Sequence, residues 1–169
     1  MFFWILAIIA LFALGISYGV FNSQKQRALV AKENVRELLW HRSSLVPLLL
    51  SLCDVIKSTN SSLFSQLLAI RSSLYDEHFL LSDRLIQEAK FSELINKIIY
   101  NSKSTDELSK NYSLITLAKE FDSVRNSINK SVSEYNNQCK RLTSMLKFPW
   151  FSLWTLFAKN DEKGGIQTV

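Results

Sequence analysis

Two hydrophobic patterns divide this chain. From Phe2 to Phe21 it reads FFWILAIIALFALGISYGVF, with no charged side chain, and Lys25, Arg27 and Lys32 follow at once. About twenty residues at about 1.5 Å rise make roughly 30 Å of helix, the thickness of a bilayer's hydrocarbon core, so this stretch predicts a transmembrane anchor. From Ala28 the pattern changes. Apolar residues recur by threes and fours at Ala28, Ala31, Val35, Leu38, Leu45, Leu49, Leu52, Ile56 and Leu63, with Arg42 taking one seam position. That is a helix face of period 3.5 to 3.6, and nothing loop-like separates it from the anchor. The membrane helix is expected to run on into a soluble helix, with a kink at Pro47, which lacks an N–H.

Further along, Asp76, Glu77 and His78 interrupt the periodicity, and Leu81, Leu85, Ala89, Ser92, Ile95 and Ile99 define a second helix ending in Asn101-Ser102-Lys103-Ser104. Ser104-Thr105-Asp106-Glu107 offers a capping box for a third. Its stripe is Leu117, Phe121, Val124, Ile128, Val132, Tyr135, Cys139, Leu142 and Met145 or Leu146, and Phe148-Pro149 closes it. Only 4 glycines and 2 prolines punctuate 169 residues, which fits long uninterrupted elements. The predicted fold is all-α: an N-terminal transmembrane helix continuing into an elongated antiparallel bundle of three long helices plus a short C-terminal aromatic helix. The expected division is an anchor at 1–21, a bundle at 22–159 and a disordered tail at 160–169.

A cleaved signal peptide is the rival reading of the N-terminus. It calls for a basic leader, a shorter apolar core and a small-x-small cleavage site. Here only Met1 precedes the run, and its exit is Tyr18-Gly19-Val20-Phe21-Asn22. An uncleaved anchor is therefore expected, with Trp4 and Tyr18 at the two interfaces. The basic residues Lys25, Arg27, Lys32, Arg36 and Arg42 follow the span, which places the N-terminus outside and the bulk in the cytosol by the positive-inside rule. Cys53 and Cys139 are far apart and form no CxxC motif, so they read as packing residues rather than a disulfide framework.

Several of these residues fall into a recognisable order. Arg42 followed by Leu45-Val46-Pro47-Leu48-Leu49-Leu50 resembles the "RRxDLIPNLV" signature of the LemA family, and Arg71 falls at that family's "ARA" arginine. Glu120-Phe121, Asn126-x-Ile128 and Tyr135-Asn136 match its "EL...ENxIA...YN" stretch in order and spacing, and Phe148-Pro149 resembles its "FP". The family's acidic position before Leu-Ile-Pro is Ser44 here, its His-Glu is Thr59-Asn60, and a second Tyr-Asn pair near Leu142-Thr143 is absent. The spacing to Phe148-Pro149 is also one residue short, so the chain is similar to a divergent member. The resemblance implies a bacterial, membrane-anchored, antiparallel helical bundle, and it brings no agreed enzymatic activity or ligand.

Read for chemistry, the chain offers little. His41 and His78 are the only histidines, and neither has a second histidine or cysteine at i+3 or i+4, so no zinc site is expected. There is no strained glycine elbow and no glycine-rich phosphate loop. No enzyme, cofactor or small-molecule substrate is expected. Arg42 must either reach the bundle surface or pair with a carboxylate on another helix, for which Glu120 is a candidate. Tyr135 and Asn136 read as a phenol and an amide that lock helices together.

The segment containing Trp150, Phe151, Trp154 and Phe157 is flanked by Lys147 and Lys159 and is too short to span a bilayer. It reads either as an interfacial piece lying in the cytoplasmic leaflet or as rings that cap one end of the bundle. The formal net charge of +5 gives nominal support to nucleic-acid binding, but the basic residues alternate with acids and their local excess follows the anchor. No nucleic-acid partner is expected. The functional expectation is a scaffold or interaction module at the bacterial inner membrane, bound to the bilayer through its first helix and facing envelope proteins. The alternative is a self-associating membrane device, such as a sensor or a phage lysis-type protein.

Overall fold

The structure is a computed structural model that describes residues 2–53, 61–75, 80–103 and 111–148. Among these residues the chain is helical nearly throughout: α1 is Phe2–Ser44, α2 Val46–Leu52, α3 Ser61–Tyr75, α4 Leu81–Lys103 and α5 Tyr112–Leu146. The all-α expectation holds. As the sequence implied, α1 carries the apolar run into the polar part of the chain without a break, so residue 21 ends the greasy segment but not the helix. Phe2, Phe3, Trp4, Ile8, Leu11 and Phe12 are all widely exposed, and no part of the most apolar stretch is buried by the rest of the protein. A bare apolar surface of this extent on a single helix suits lipid as its solvent.

Pro47 acts where it was expected to. The helix is interrupted at Leu45 and resumes as α2, with Pro47 at its second position, where a missing N–H costs little because the first turn has no intrahelical acceptors. What had been expected as one kinked helix reaching Leu63 is divided further: α2 ends at Leu52, and α3 starts afresh at Ser61. The second helix begins at Leu81 and ends at Lys103, as the pattern predicted. The proposed capping box, residues 104–107, lies outside the described residues. The described third helix begins at Tyr112, where Asn111 Oδ1 accepts from the amides of Ser113 at 3.0 Å and Leu114 at 3.3 Å. This is an asparagine N-cap that the periodicity alone did not reveal. At the other end, i→i−3 bonds from Lys147 to Ser144 and from Phe148 to Met145 tighten the last turn before Pro149.

By its contacts the chain divides into two compact units. In the unit Val35–Lys130, α2, α3, α4 and the first half of α5 surround one core of Val46, Leu49, Phe64, Leu67, Phe91, Ile95, Ile98, Leu114, Leu117 and Phe121. α3 packs on α4. The other unit joins α1 up to Asn34 to α5 from Ser131. Its buried residues are Phe21, Ala28 and Ala31 on α1 and Gln138 and Leu142 on α5.

Along α5 Leu117, Phe121, Val124, Ile128 and Leu142 are buried as the stripe expected, whereas Val132, Tyr135, Cys139, Met145 and Leu146 are only half-buried and Gln138 is buried beside them. On the first helix Val35, Arg42 and Leu49 are buried as the stripe expected, but Leu39, Val46 and Cys53 are buried in place of Leu38, Leu45 and Leu52, which are only half-buried. Both sets obey three-and-four spacing, so periodicity could not choose between them. On α4 the buried set is Arg84, Glu88, Phe91, Ser92, Leu94, Ile95, Ile98 and Ser102, and Ala89 is exposed. The sequence reading had passed over the charged positions, and the buried face includes them.

Candidate functional site: a buried polar clasp at the helix break

Proline's missing N–H leaves an acceptor without its helical donor four residues earlier, and for Pro47 that acceptor is the carbonyl of Ser43. Arg71, from the middle of α3, donates its Nε–H to the Ser43 carbonyl oxygen at 3.1 Å. A charged donor thus replaces the bond that Pro47 cannot make, and it ties α3 to the end of α1. The two positions, distant in sequence, are two halves of one interaction.

One residue earlier, Arg42 turns inward. It is only 1 % exposed, and its Nη1 is paired with the Glu88 carboxylate and donates to Ser92 Oγ at 2.7 Å. Ser92 Oγ in turn donates to Glu88 Oε1 at 3.1 Å, closing a triangle between α1 and α4. The guanidinium also lies 5.8 Å from the centroid of the Phe91 ring, within cation–π range. Burial, followed by the nearby charge of Arg125, lowers the Arg42 pKa to about 10, against an opposing effect of Asp122, so the side chain stays charged at neutral pH. Arg42 Nε and Glu88 Oε2 have no hydrogen-bond partner. An ion pair that is buried but not saturated adds little net stability, yet it penalises every packing that would separate the partners.

A second polar contact closes the far end of α2. Cys53 Sγ meets Ser102 Oγ at 3.2 Å, and that hydroxyl donates to the Ile98 carbonyl at 2.7 Å. Burial pushes the Cys53 thiol up, with the Ser102 contact opposing. The chemistry of a small buried thiol fits the packing role read from the sequence.

The remaining sequence candidates separate. Arg42, Pro47 and Arg71 come together at the helix break. Glu120, the candidate partner for Arg42, is exposed and lies 3.9 Å from His41 instead, since Glu88 fills the place beside Arg42. Asn126 and Asn136 are exposed on α5, and neither joins the clasp. Tyr135 is half-buried, and burial together with its contact to Cys139 pushes its phenol up to about 12. Phe148 is exposed, and Pro149, Trp150, Phe151, Trp154 and Phe157 lie outside the described residues, as does the expected short aromatic helix. So does the tail at 160–169.

Sequence reasoning missed Glu88, and it placed Ser92 on the inward stripe of α4 without giving it a partner. Their signal was an acid and a hydroxyl at i and i+4, with an aromatic between, on the apolar side of α4. Among the described residues no three of His, Cys, Asp or Glu converge as metal ligands would. The clasp is closed to solvent, its charges offset one another, and its chemistry is that of a register lock for three helices.

No match is found among curated proteins. The LemA family matches residues 31–162, a span that takes in both the arginine–proline break of the first helix and the long α5. That match covers most of the chain, and the protein belongs to the LemA family.

Proposed function

We propose that this protein is a membrane-anchored helical scaffold of the bacterial cell envelope, with its N-terminus outside, its bundle in the cytosol and no catalytic activity of its own. Its partners in this reading are the inner-membrane bilayer and other envelope proteins, which meet the helical surface of the bundle. The supporting observation is α1 itself, a single helix from Phe2 to Ser44 whose apolar run exposes Phe2, Phe3, Trp4, Ile8, Leu11 and Phe12 and whose last turn enters the Arg42 clasp. The lysines and arginines beyond the span support the cytosolic placement.

Crosslinking in native membranes tests the scaffold reading. Recovery of envelope proteins beside the bundle is the expected outcome, whereas recovery of self-crosslinks alone would replace it with the self-associating alternative. Orientation is tested by a cysteine placed at Gly164. A membrane-impermeant thiol reagent on intact cells is expected not to label it, and labelling from outside would reverse the topology.

A further inference from the structure

Two continuous helices, α1 and α5, each contribute to both compact units. α1 up to Asn34 shares a unit with α5 from Ser131, whereas α1 from Val35 shares the other with α5 up to Lys130. The beginning of one helix therefore accompanies the end of the other, and α5 runs antiparallel to α1. Its C-terminal end is aimed back toward the apolar run.

Helical rise says how far it reaches. Glu134 and Gln138 lie against α1 between Ser23 and Asn34. From Gln138 to Leu146, where α5 ends, is roughly 12 Å of rise, and from the middle of that stretch of α1 back to Phe21 is about 10 Å. The last turn of α5 thus stands level with the end of the apolar run, to within a headgroup layer roughly 5–7 Å thick. Burial agrees, since Phe21 on α1 and Leu142 on α5 are both covered. Phe148, just past the end of α5, is 60 % exposed.

The residues after Phe148 lie outside the described ones, but their chemistry is plain from the sequence. No charged side chain falls between Lys147 and Lys159, and Trp150, Leu153, Trp154 and Phe157 recur by threes and fours. Released far from the membrane, these rings would need a protein surface to cover them. Released level with Phe21, they meet the interface that suits indoles, with apolar rings toward the acyl chains, N–H groups toward water and lysines beside anionic phosphates.

We infer that residues 148–157 are a second membrane attachment, lying at the headgroup–acyl boundary of the leaflet from which α1 emerges, with Trp150 and Trp154 in the lipid surface and Lys147 and Lys159 on its phosphates. This inference rests on the anchor reading, because only an embedded α1 brings the end of α5 to a bilayer.

The test uses the full chain in bilayer discs of phosphatidylethanolamine and phosphatidylglycerol, with Trp4→Phe and Trp40→Phe leaving Trp150 and Trp154 as the only indoles. Both replaced side chains are exposed, so no core is disturbed. Lipids brominated high on the acyl chain are expected to quench the two indoles strongly, and lipids brominated near the methyl end or aqueous acrylamide only weakly. Quenching by acrylamide alone would put the rings in water, and shielding from all three quenchers would mean that they cap the bundle; either result overturns the second attachment. A companion chain that keeps Trp4 alone reports on the anchor. Quenching of Trp4 by brominated lipid, with Trp150 and Trp154 unaffected, would reject the attachment and leave the anchor standing. No quenching of either chain by lipid would overturn both.

Discussion

The two compact units bury different polar groups, charged in one and neutral amide in the other. Within Val35–Lys130 a charged guanidinium is buried against a carboxylate, a hydroxyl and a phenyl ring, in a unit whose core holds Phe64, Phe121 and several leucines and isoleucines. In the unit that carries the anchor, the interior is small, with Phe21, Ala28, Ala31 and Leu142, and the buried oxygens of Gln24 and Gln138 are left without partners. A buried ion pair penalises every packing that would part its two charges, whereas a buried neutral amide oxygen costs only its own desolvation. The difference separates a region whose interior sets register from one whose interior is small and holds no ion pair among its described residues.

The comparison breaks most severely at the ion pair. Glu88→Ala leaves the Arg42 charge buried without its partner and is expected to cost about 3–5 kcal/mol of stability, read from denaturant unfolding of the detergent-solubilised chain by circular dichroism. Replacing both, Arg42→Met with Glu88→Leu, is expected to recover most of that loss, because the apolar pair has no charge to desolvate. A cost below about 1 kcal/mol for Glu88→Ala would mean that the clasp does not hold the bundle.

Next in size is the arginine that answers the proline. Arg71→Ala exposes the unmet Ser43 carbonyl and is expected to cost about 1–3 kcal/mol. In a Pro47→Ala background an amide at position 47 can donate to that same oxygen, so the cost of Arg71→Ala should shrink. The measurement is a double-mutant cycle on unfolding free energy, and equal costs in both backgrounds would disprove the coupling.

Alkaline pH distinguishes the units more gently. Cys53 in one and Tyr135 in the other are both acids whose neutral form the fold favours, so each contributes stability that is fully present below its unfolded pKa and is lost as pH rises through the folded one. For Cys53 the decline begins near the ordinary thiol value of about 8.5, and for Tyr135 near about 10. It continues for the latter to the folded value of about 12. Hydrogen exchange across that range should therefore show the amides of α2 and the end of α4 losing protection before those around Tyr135. The reverse order would contradict the assignment.

The smallest effect is expected at Gln138. Gln138→Met removes an open buried acceptor along with its bond to Glu134, and the two contributions nearly cancel, leaving a change below about 1 kcal/mol in thermal or denaturant unfolding. A loss as large as that of Glu88→Ala would show that the anchor unit is also held together by its polar interior.

Much of this was legible along the chain, for reasons that can be traced to particular residues. The boundaries Leu81 and Lys103, the stripe of α5 from Leu117 to Ile128 and the interruption near Pro47 follow from periodicity and from proline's geometry, both local properties. The inward face of α1 was not settled in the same way. Leu38 and Leu39 are equally greasy neighbours, and three-and-four spacing admits either. The candidate site was half visible: Arg42 stood out as a charge on a seam, and Pro47 and Arg71 by their place in a motif. Their partners did not stand out, because nothing near them in sequence announces them.

From the amino-acid order alone come the helical class, the apolar first twenty residues and the scarcity of breaks, since each depends on residues within a turn or two of one another. Only the folded chain decides that Glu88 rather than Glu120 neutralises Arg42, and that the carbonyl freed by Pro47 meets Arg71. Burying a charge or an orphaned carbonyl is tolerable only where a partner arrives through space, and which one arrives depends on how α3 and α4 pack against the break in α1.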